Sequence, residues 1–267
     1  MPEPRPAAAV DHLSFSSIST YLRCPRQWAY AYLEGLRRRP TGALIRGEAV
    51  DRGAARNLSQ KIESRRDLPV GDILETTEDA FRRAVDREGG PSEVDWEGAN
   101  QARLLDSSIE LARIHAYEHA PHIDPAAVQL ELKRALPSGR EFVGYLDYVQ
   151  RDGRVGDIKT GSKRMGQEAA DRDLQPSAYA YLVGEPIRFE FARLIDTGTR
   201  RGEEIVTTER DAGAITWFEQ LASEVDRAIA AEVFPPNPNG WHCSPRYCGF
   251  WTRCMVQHRP PEFPGSS

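Results

Sequence analysis

The chain has 267 residues, 40% hydrophobic and 28% charged, with a net charge of −5. That length supports a buried core in one large domain, or in one domain with appended elements. No stretch approaches the roughly 20 consecutive apolar residues of a membrane helix, and the acidic balance excludes a molecule that attracts polyanions over its whole surface.

Residues 1–12 read as a loose tail. Met1 to Val10 lacks the basic start and apolar run of a signal peptide, so a cytoplasmic location with reduced thiols is expected. Ser14, Ser16 and Ser17 offer caps for a helix in which Ile18, Tyr21, Leu22, Trp28 and Tyr32 recur at helical spacing through Leu33. Pro25, directly after Cys24, marks a break or a new start. From Leu22 to Arg46 six arginines stand against one acid, Glu34; this is either a solvated helix end or a phosphate-facing stripe. Gly47–Lys61 predicts a second helix carrying Asp51 and Leu58. Residues 64–77 read as a polar connector, with further helices near 78–88 and 97–119.

After Pro125 the period becomes two. Val128–Leu136, Glu141–Val149 and Arg154–Lys159 predict three successive strands, separated by Pro-Ser-Gly and Arg-Asp-Gly turns. A helix over Gln167–Leu182 follows, then a strand pair, Ile187–Ile195 and Glu203–Thr208. Asp211 caps a long helix to Glu232, and Pro235, Pro236 and Pro238 lead into a cysteine-rich segment. This order predicts an α/β fold with a mixed central sheet flanked by helices and a helical N-terminal half. The expected organisation is a helical region at 13–124, a core at 125–234, a cysteine segment at 235–259 packed on the first helix, and a tail at 260–267.

Cys24 stands alone, whereas Cys243, Cys248 and Cys254 fall within twelve residues. Two disulfides in any of three pairings, four buried thiols, or one four-thiolate metal site are the alternatives. A reducing compartment disfavours the first, and count and spacing fit the third, with zinc or an iron-sulfur cluster as occupant.

The densest chemical signal is Gly144-Tyr-Leu-Asp147 followed by Gly156-Asp157-Ile158-Lys159-Thr-Gly161. On a strand, Asp157 and Lys159 share a face, and Asp147 on the neighbouring strand can reach it. Converging carboxylates suit Mg2+ or Mn2+, and a lysine beside them can orient a water or offset charge growing on a phosphoryl group. The plainer reading is a solvated hairpin in which Lys159 pairs with Asp157. Gln175 and Tyr179 lie four apart on one face of the next helix. Glu131 is either near this site or a surface acid. His115, His119 and His122 form a row that solvation of a helix face explains. His242 is a possible spare ligand or a donor to the thiolates. Trp241, Tyr247, Phe250 and Trp251 are expected to pack around the cysteines, although an aromatic there could stack on an unpaired base. P-loop, G-x-S-x-G and G-x-G-x-x-G motifs are absent, against nucleotide-driven unwinding, a serine triad and a dinucleotide site.

Taken in order, these residues resemble the PD-(D/E)XK nuclease superfamily, in particular its RecB-like iron-sulfur branch of CRISPR-adaptation, AddB-type and phage exonucleases. The resemblance runs from Ser14 to Cys254, and its opening helix matches Phe15-Ser16-Ser17-Ile18 through Tyr21, Cys24, Pro25, Arg26 and Tyr30. It implies a sheet of the PD-(D/E)XK type, with Asp147 and Asp157 as metal-binding acids and Lys159 as the catalytic lysine. Gln175-Pro-Ser-Ala-Tyr179 resembles the branch's Q-x-x-x-Y motif, supporting Lys159 or the scissile strand. The implied Mg2+ or Mn2+ ligands are Asp51, Asp147, Asp157 and the Ile158 carbonyl. Asp51 stands where the family usually has histidine; it is either a ligand or a helix-surface acid. Cys24, Cys243, Cys248 and Cys254 would hold a 4Fe-4S cluster, with zinc as the alternative, although the spacing is C-x4-C-x5-C where many relatives show C-x2-C-x5-C. The implied activity is metal-dependent exonucleolytic hydrolysis of DNA, on single-stranded ends, in recombination and repair, phage DNA metabolism or CRISPR adaptation. A helicase or CRISPR-adaptation partner is implied, and no membrane. The alternative is a non-catalytic, metal-stapled nucleic-acid-binding subunit of a larger complex. The Asp51 departure favours that alternative; the intact Asp147, Asp157 and Lys159 oppose it.

Overall fold

Ser14 ends a short strand β1 (His12–Ser14), and its hydroxyl accepts from Ser17 N at 3.2 Å to cap α1 (Phe15–Arg23). Cys24 is extended and closes α1, and Pro25 then occupies the first turn of α2 (Pro25–Tyr32), where its missing N–H costs nothing. The computed structural model describes residues 10–258. His12 already belongs to β1; the rest of the first expected tail up to Ala9, and the tail at 260–267, lie outside the described residues.

The chain divides into two compact units. The larger comprises Arg39–Lys133 and Gly144–Phe218. Thr41 caps α3 (Gly42–Ser64), which begins five residues earlier than the sequence pattern indicates. α4 (Val70–Arg87) starts inside the stretch read as a connector. Its first turns are polar outside, but Ile73, Thr77, Phe81, Ala84 and Val85 are buried at helical spacing. α5 (Gln101–Glu118) is capped by Asn100. Phe81, Ala84 and Val85 pack with Ile45 and Ala49 of α3.

The strands follow the period-two reading closely: β2 (Pro125–Ala135), β3 (Glu141–Gln150) and β4 (Val155–Gly161). The single helix expected over 167–182 is two, α6 (Gln167–Arg172) and α7 (Leu174–Val183). The break is Asp173, which is extended and whose carboxylate accepts from Gln175 N at 2.8 Å. β5 (Ile187–Asp196), β6 (Arg201–Arg210) and α8 (Ala212–Ala230) follow, with Asp211 capping α8 as expected. β3 and β4 are antiparallel, β4 and β5 parallel, and β5 and β6 antiparallel, so the sheet is mixed. Val50, Ala54 and Leu58 of α3 and Leu111 of α5 cover Tyr148, Ile158, Ala192 and Leu194 of the sheet.

Beneath those helices lies a polar network. Glu190 on β5 is fully buried and accepts from Tyr148 Oη (2.8 Å), Gln150 Nε2 (2.7 Å) and Arg154 (2.9 Å). Burial pushes its carboxyl up, but the hydrogen bonds from His119, Arg154 and Tyr148 outweigh that and hold it at about 2. His115 and His119 are therefore not a solvated row. Both are buried, His115 Nδ1 lying 2.9 Å from Glu203 and His119 Nε2 3.2 Å from Tyr148 Oη. The sequence lacks a signal for this, because their partners come from strands far along the chain.

The smaller unit comprises the chain up to Arg38, Arg134–Val143 and the chain from Glu219 onward, and includes α9 (Trp251–His258). In it β1 runs parallel to the start of β3, pairing His12 with Glu141 and Ser14 with Val143. The returning chain docks on α1 and α2. Trp28 stacks on Phe234 at 5.6 Å, and Tyr21 Oη donates to Val233 O at 2.6 Å. The arginine-rich stretch is not one stripe. Arg46 is buried against Ser107, Arg39 pairs with Glu93, and Arg38 donates to Tyr247 O.

Candidate active site

The ladder between β3 and β4 ends at Tyr148 and Gly156. One residue farther on, Asp147 bends in to accept the Ile158 backbone N–H at 2.8 Å. Gly156 permits this close pairing, since a Cβ there would overlap the Tyr148 ring. Gly144 likewise leaves room for Leu182 of α7. The glycines of both motifs are thus packing requirements that set the acids in register.

Asp157 is only 1% exposed, so the solvated-hairpin reading fails. Its Oδ1 accepts from Lys159 Nζ at 2.9 Å and from Gln175 Nε2 at 2.6 Å. Gln175 also donates to Tyr179 Oη at 3.0 Å, and Tyr179 donates to Tyr145 O at 2.8 Å. The Q-x-x-x-Y pair thus meets Asp157 directly through Gln175, which shares the Asp157 Oδ1 acceptor with Lys159. Burial, with Asp157 and Asp147 nearby, raises the Tyr179 phenol, which keeps its proton for this bond.

α3 approaches β4 at Gly47, where a Cβ would sit 3.3 Å from Thr160 Oγ1, and presents Asp51 one turn later. Gln129 Nε2 reaches both Asp51 oxygens, at 3.1 and 3.3 Å. Gln129 lies within β2 with φ +50°, a left-handed conformation costly for a residue with a Cβ. It is the residue that sequence reading missed, because neither its type nor its spacing announces a role. Glu131, by contrast, pairs with Lys133 at 2.9 Å on the strand's exposed side.

The electrostatics tie the acids together. Burial raises Asp147 well above the carboxylate range, and Asp157 and Asp51 add to the rise. Burial also raises Asp51, with Asp157 contributing. For Lys159, 41% exposed, burial works downward, but Asp157 and Asp147 outweigh it and hold the ammonium above its ordinary value. Asp157 Oδ2 is buried and makes no hydrogen bond. Among the described residues no three His, Cys, Asp or Glu side chains form a closed metal-holding group. The donor set nevertheless fits a hard divalent cation: Asp51 and Asp147, both raised by burial and by the neighbouring Asp157, and an orphaned buried oxygen.

In the smaller unit, all four cysteines line one cavity, together with Tyr30, Phe250 and His242. They are free thiols. Burial raises Cys243 and Cys254, and the neighbouring cysteines raise them further. His242 Nε2 is buried there without a partner. Four soft donors around one cavity fit a tetrathiolate metal or cluster. Of the aromatics expected to enclose the cysteines, Phe250 and Trp251 line the cavity, whereas Trp241 and Tyr247 are exposed.

Compared with known families, residues 12–255 match the model of the PD-(D/E)XK nuclease superfamily. The chain belongs to that superfamily. None of the curated proteins compared matches it. Among solved structures, this superfamily member is similar to the crystal structure of a "Putative exonuclease" from Eubacterium rectale. The TM-score is 0.60 at 15% identity, over 96% of this chain and 91% of that one. At that identity the likeness concerns the fold, a mixed sheet flanked by helices. A structure named SSO0001 overlaps at TM-score 0.41 with 16% identity, over 92% of this chain and 87% of that one.

Proposed function

We propose that the chain is a metal-dependent DNA exonuclease of the RecB-like branch, acting on single-stranded ends. The observation that carries this is the Asp157 carboxylate. One oxygen is fixed by Lys159 and Gln175, while the other is buried and unpartnered beside two more acids. Asp51, Asp147, Asp157 and the Ile158 carbonyl would hold Mg2+ or Mn2+. Such an ion, when bound, polarises a phosphoryl oxygen and lowers the pKa of a water.

The remaining roles belong to the chain itself. Lys159 stays protonated, so it is a donor rather than a base: Nζ orients the attacking water or meets an oxygen of the scissile phosphate. Gln175 and Tyr179 hold Asp157 in one rotamer, and Gln129 does the same for Asp51. In the smaller unit, Cys24, Cys243, Cys248 and Cys254 would hold a 4Fe-4S cluster, zinc being the other occupant that four thiolates satisfy. Free thiols suit a reducing, cytoplasmic setting. The described residues include no helix long and apolar enough to cross a membrane. The sequence lacks a nucleotide-binding loop, so unwinding of duplex would fall to a helicase or a CRISPR-adaptation partner.

The test is cleavage of end-labelled linear DNA, single- and double-stranded, beside a closed single-stranded circle, with and without Mn2+. The proposal expects Mn2+-dependent shortening of the linear single strand and an intact circle. Cleavage of the circle would replace the exonuclease by an endonuclease, and no cleavage of any DNA would overturn the reading.

A further inference from the structure

Between Cys243 and Cys248 the chain makes successive tight turns. Cys243 N bonds to Gly240 O at 2.8 Å, Ser244 N to His242 O at 2.9 Å, and Cys248 N to Ser244 O at 2.9 Å. These turns bury His242 and leave its two aromatic neighbours outside: Trp241 is 78% exposed and Tyr247 46%. The rings are not loose. Trp241 meets Tyr247 edge-to-face at 5.2 Å and the buried His242 at 5.9 Å. The Arg246 guanidinium lies 5.3 Å over the Tyr247 ring. Arg38 donates to Tyr247 O at 2.9 Å, and its stem runs over Gly249, where any Cβ would crowd it.

A large indole held in place yet open to water forfeits the burial that normally stabilises tryptophan. The adjoining sequence is also one-sided in charge. Val233 to His258 contains no acidic residue but carries Arg246 and Arg253, in a chain whose net charge is −5. In the same unit, Arg23 to Arg38 adds four arginines against one acid, Glu34, which Arg253 engages. A flat aromatic surface with the Arg246 and Arg38 side chains at its bracing tyrosine matches the unpaired base with its phosphates.

We propose that Trp241, braced by Tyr247 and flanked by Arg246 and Arg38, is a stacking platform for a base of single-stranded DNA. This deepens the nuclease reading and rests on it for the substrate class. Stacking needs a base face free of its stacked neighbours, which an unpaired strand offers and an intact duplex does not, so the platform discriminates against duplex. Its position beside Cys243 and Cys248 would also link its geometry to a metal that the thiolates would hold.

The test is fluorescence anisotropy of a labelled oligo-dT with the full chain, as purified, in buffer without added divalent cation or chelator. It compares the parent, Trp241→Ala and Trp241→Phe, with an abasic strand of equal length as second ligand. Cleavage of end-labelled DNA with Mn2+ is followed on the same preparations. Trp241→Ala should bind oligo-dT about 5- to 150-fold more weakly, the factor that 1–3 kcal/mol per stacked base corresponds to. Trp241→Phe should recover most of the loss, and the abasic strand should not distinguish the variants. Equal oligo-dT binding by parent and Trp241→Ala, equal losses on both strands, or no binding of oligo-dT by the parent would each overturn the platform. If the parent cleaves DNA but Trp241→Ala binds normally, the platform fails and the nuclease reading stands. If binding depends on Trp241 but no DNA is cleaved, the platform stands and the nuclease reading fails.

Discussion

Replacing Asp147 by asparagine should make the protein more stable while removing its response to divalent cations. The amide oxygen of the introduced side chain can still accept the Ile158 N–H that Asp147 now takes at 2.8 Å. A charged acceptor becomes a neutral one, which costs about 1 kcal/mol. Against that, Asp147 is raised by burial and by both Asp157 and Asp51, and lowered by Lys159. Two repulsions less one attraction leave one uncompensated pair. At about 5 Å and an effective dielectric of about 20, that pair amounts to about 3 kcal/mol. The net gain is about 2 kcal/mol, or about 4–8 °C in Tm for a chain of this size. The pH dependence has a definite sign. A carboxyl whose folded pKa lies above its unfolded value favours the folded state only while protonated, so the parent loses stability as pH rises past about 4. Parent and variant should therefore melt alike near pH 3 and diverge towards pH 8. Millimolar Mn2+ should raise the Tm of the parent and leave the variant nearly unmoved. The assay is differential scanning fluorimetry across pH, with and without Mn2+. A variant less stable than the parent at pH 8, or equally stabilised by Mn2+, would refute the reasoning.

Other substitutions probe other parts of the account. Gln175→Leu removes the 2.6 Å bond to Asp157 and should lower kcat roughly 10- to 100-fold with KM little changed; an unchanged rate would show that Asp157 holds its rotamer unaided. Asp51→Ala should lose at least about 100-fold in activity, while Asp51→His keeps part of it and prefers Mn2+ over Mg2+ more than the parent does, because imidazole is the softer ligand. Full activity of Asp51→Ala in both metals would make Asp51 a bystander. Glu190→Gln should cost about 2–4 kcal/mol, read by urea unfolding. Glu190, held at about 2, stabilises the fold above about 4.5, and that contribution disappears as pH falls towards 2; the variant should show a flatter acid limb. Cys24→Ala and Cys248→Ala should lower Tm equally and abolish the brown colour and the iron of anaerobically purified protein, whereas a colourless parent with one zinc would reject the cluster and keep the site.

The strands were legible because alternation on a half-buried surface survives any tertiary arrangement, and each of the five longer strands begins and ends within three residues of the pattern. Asp157, Lys159, Gln175 and Tyr179 were legible as a group because two residues on a strand and four on a helix each fix a shared face. What those faces meet was not. α4 hides behind a polar first turn, and Asp173 splits a helix that periodicity alone would continue. Gln129 supports Asp51 from a strand 78 residues away. His115 and His119 share a helix face whose burial is decided by Glu203, Tyr148 and Glu190. Trp241 and Tyr247 look like core residues by type, and only the turns around Cys243 put them outside.

The most direct test of the central claim is single-turnover cleavage of a 5′-labelled single strand by the parent, Asp157→Ala and Lys159→Met in saturating Mn2+, with Mn2+ binding measured on the same three proteins. The account predicts that Asp157→Ala loses both the bound ion and cleavage. Lys159→Met, which removes the Nζ donor while leaving the carboxylates, should bind Mn2+ and fail to cleave. Cleavage by Lys159→Met at the parent's rate, or tight Mn2+ binding by Asp157→Ala, would contradict it.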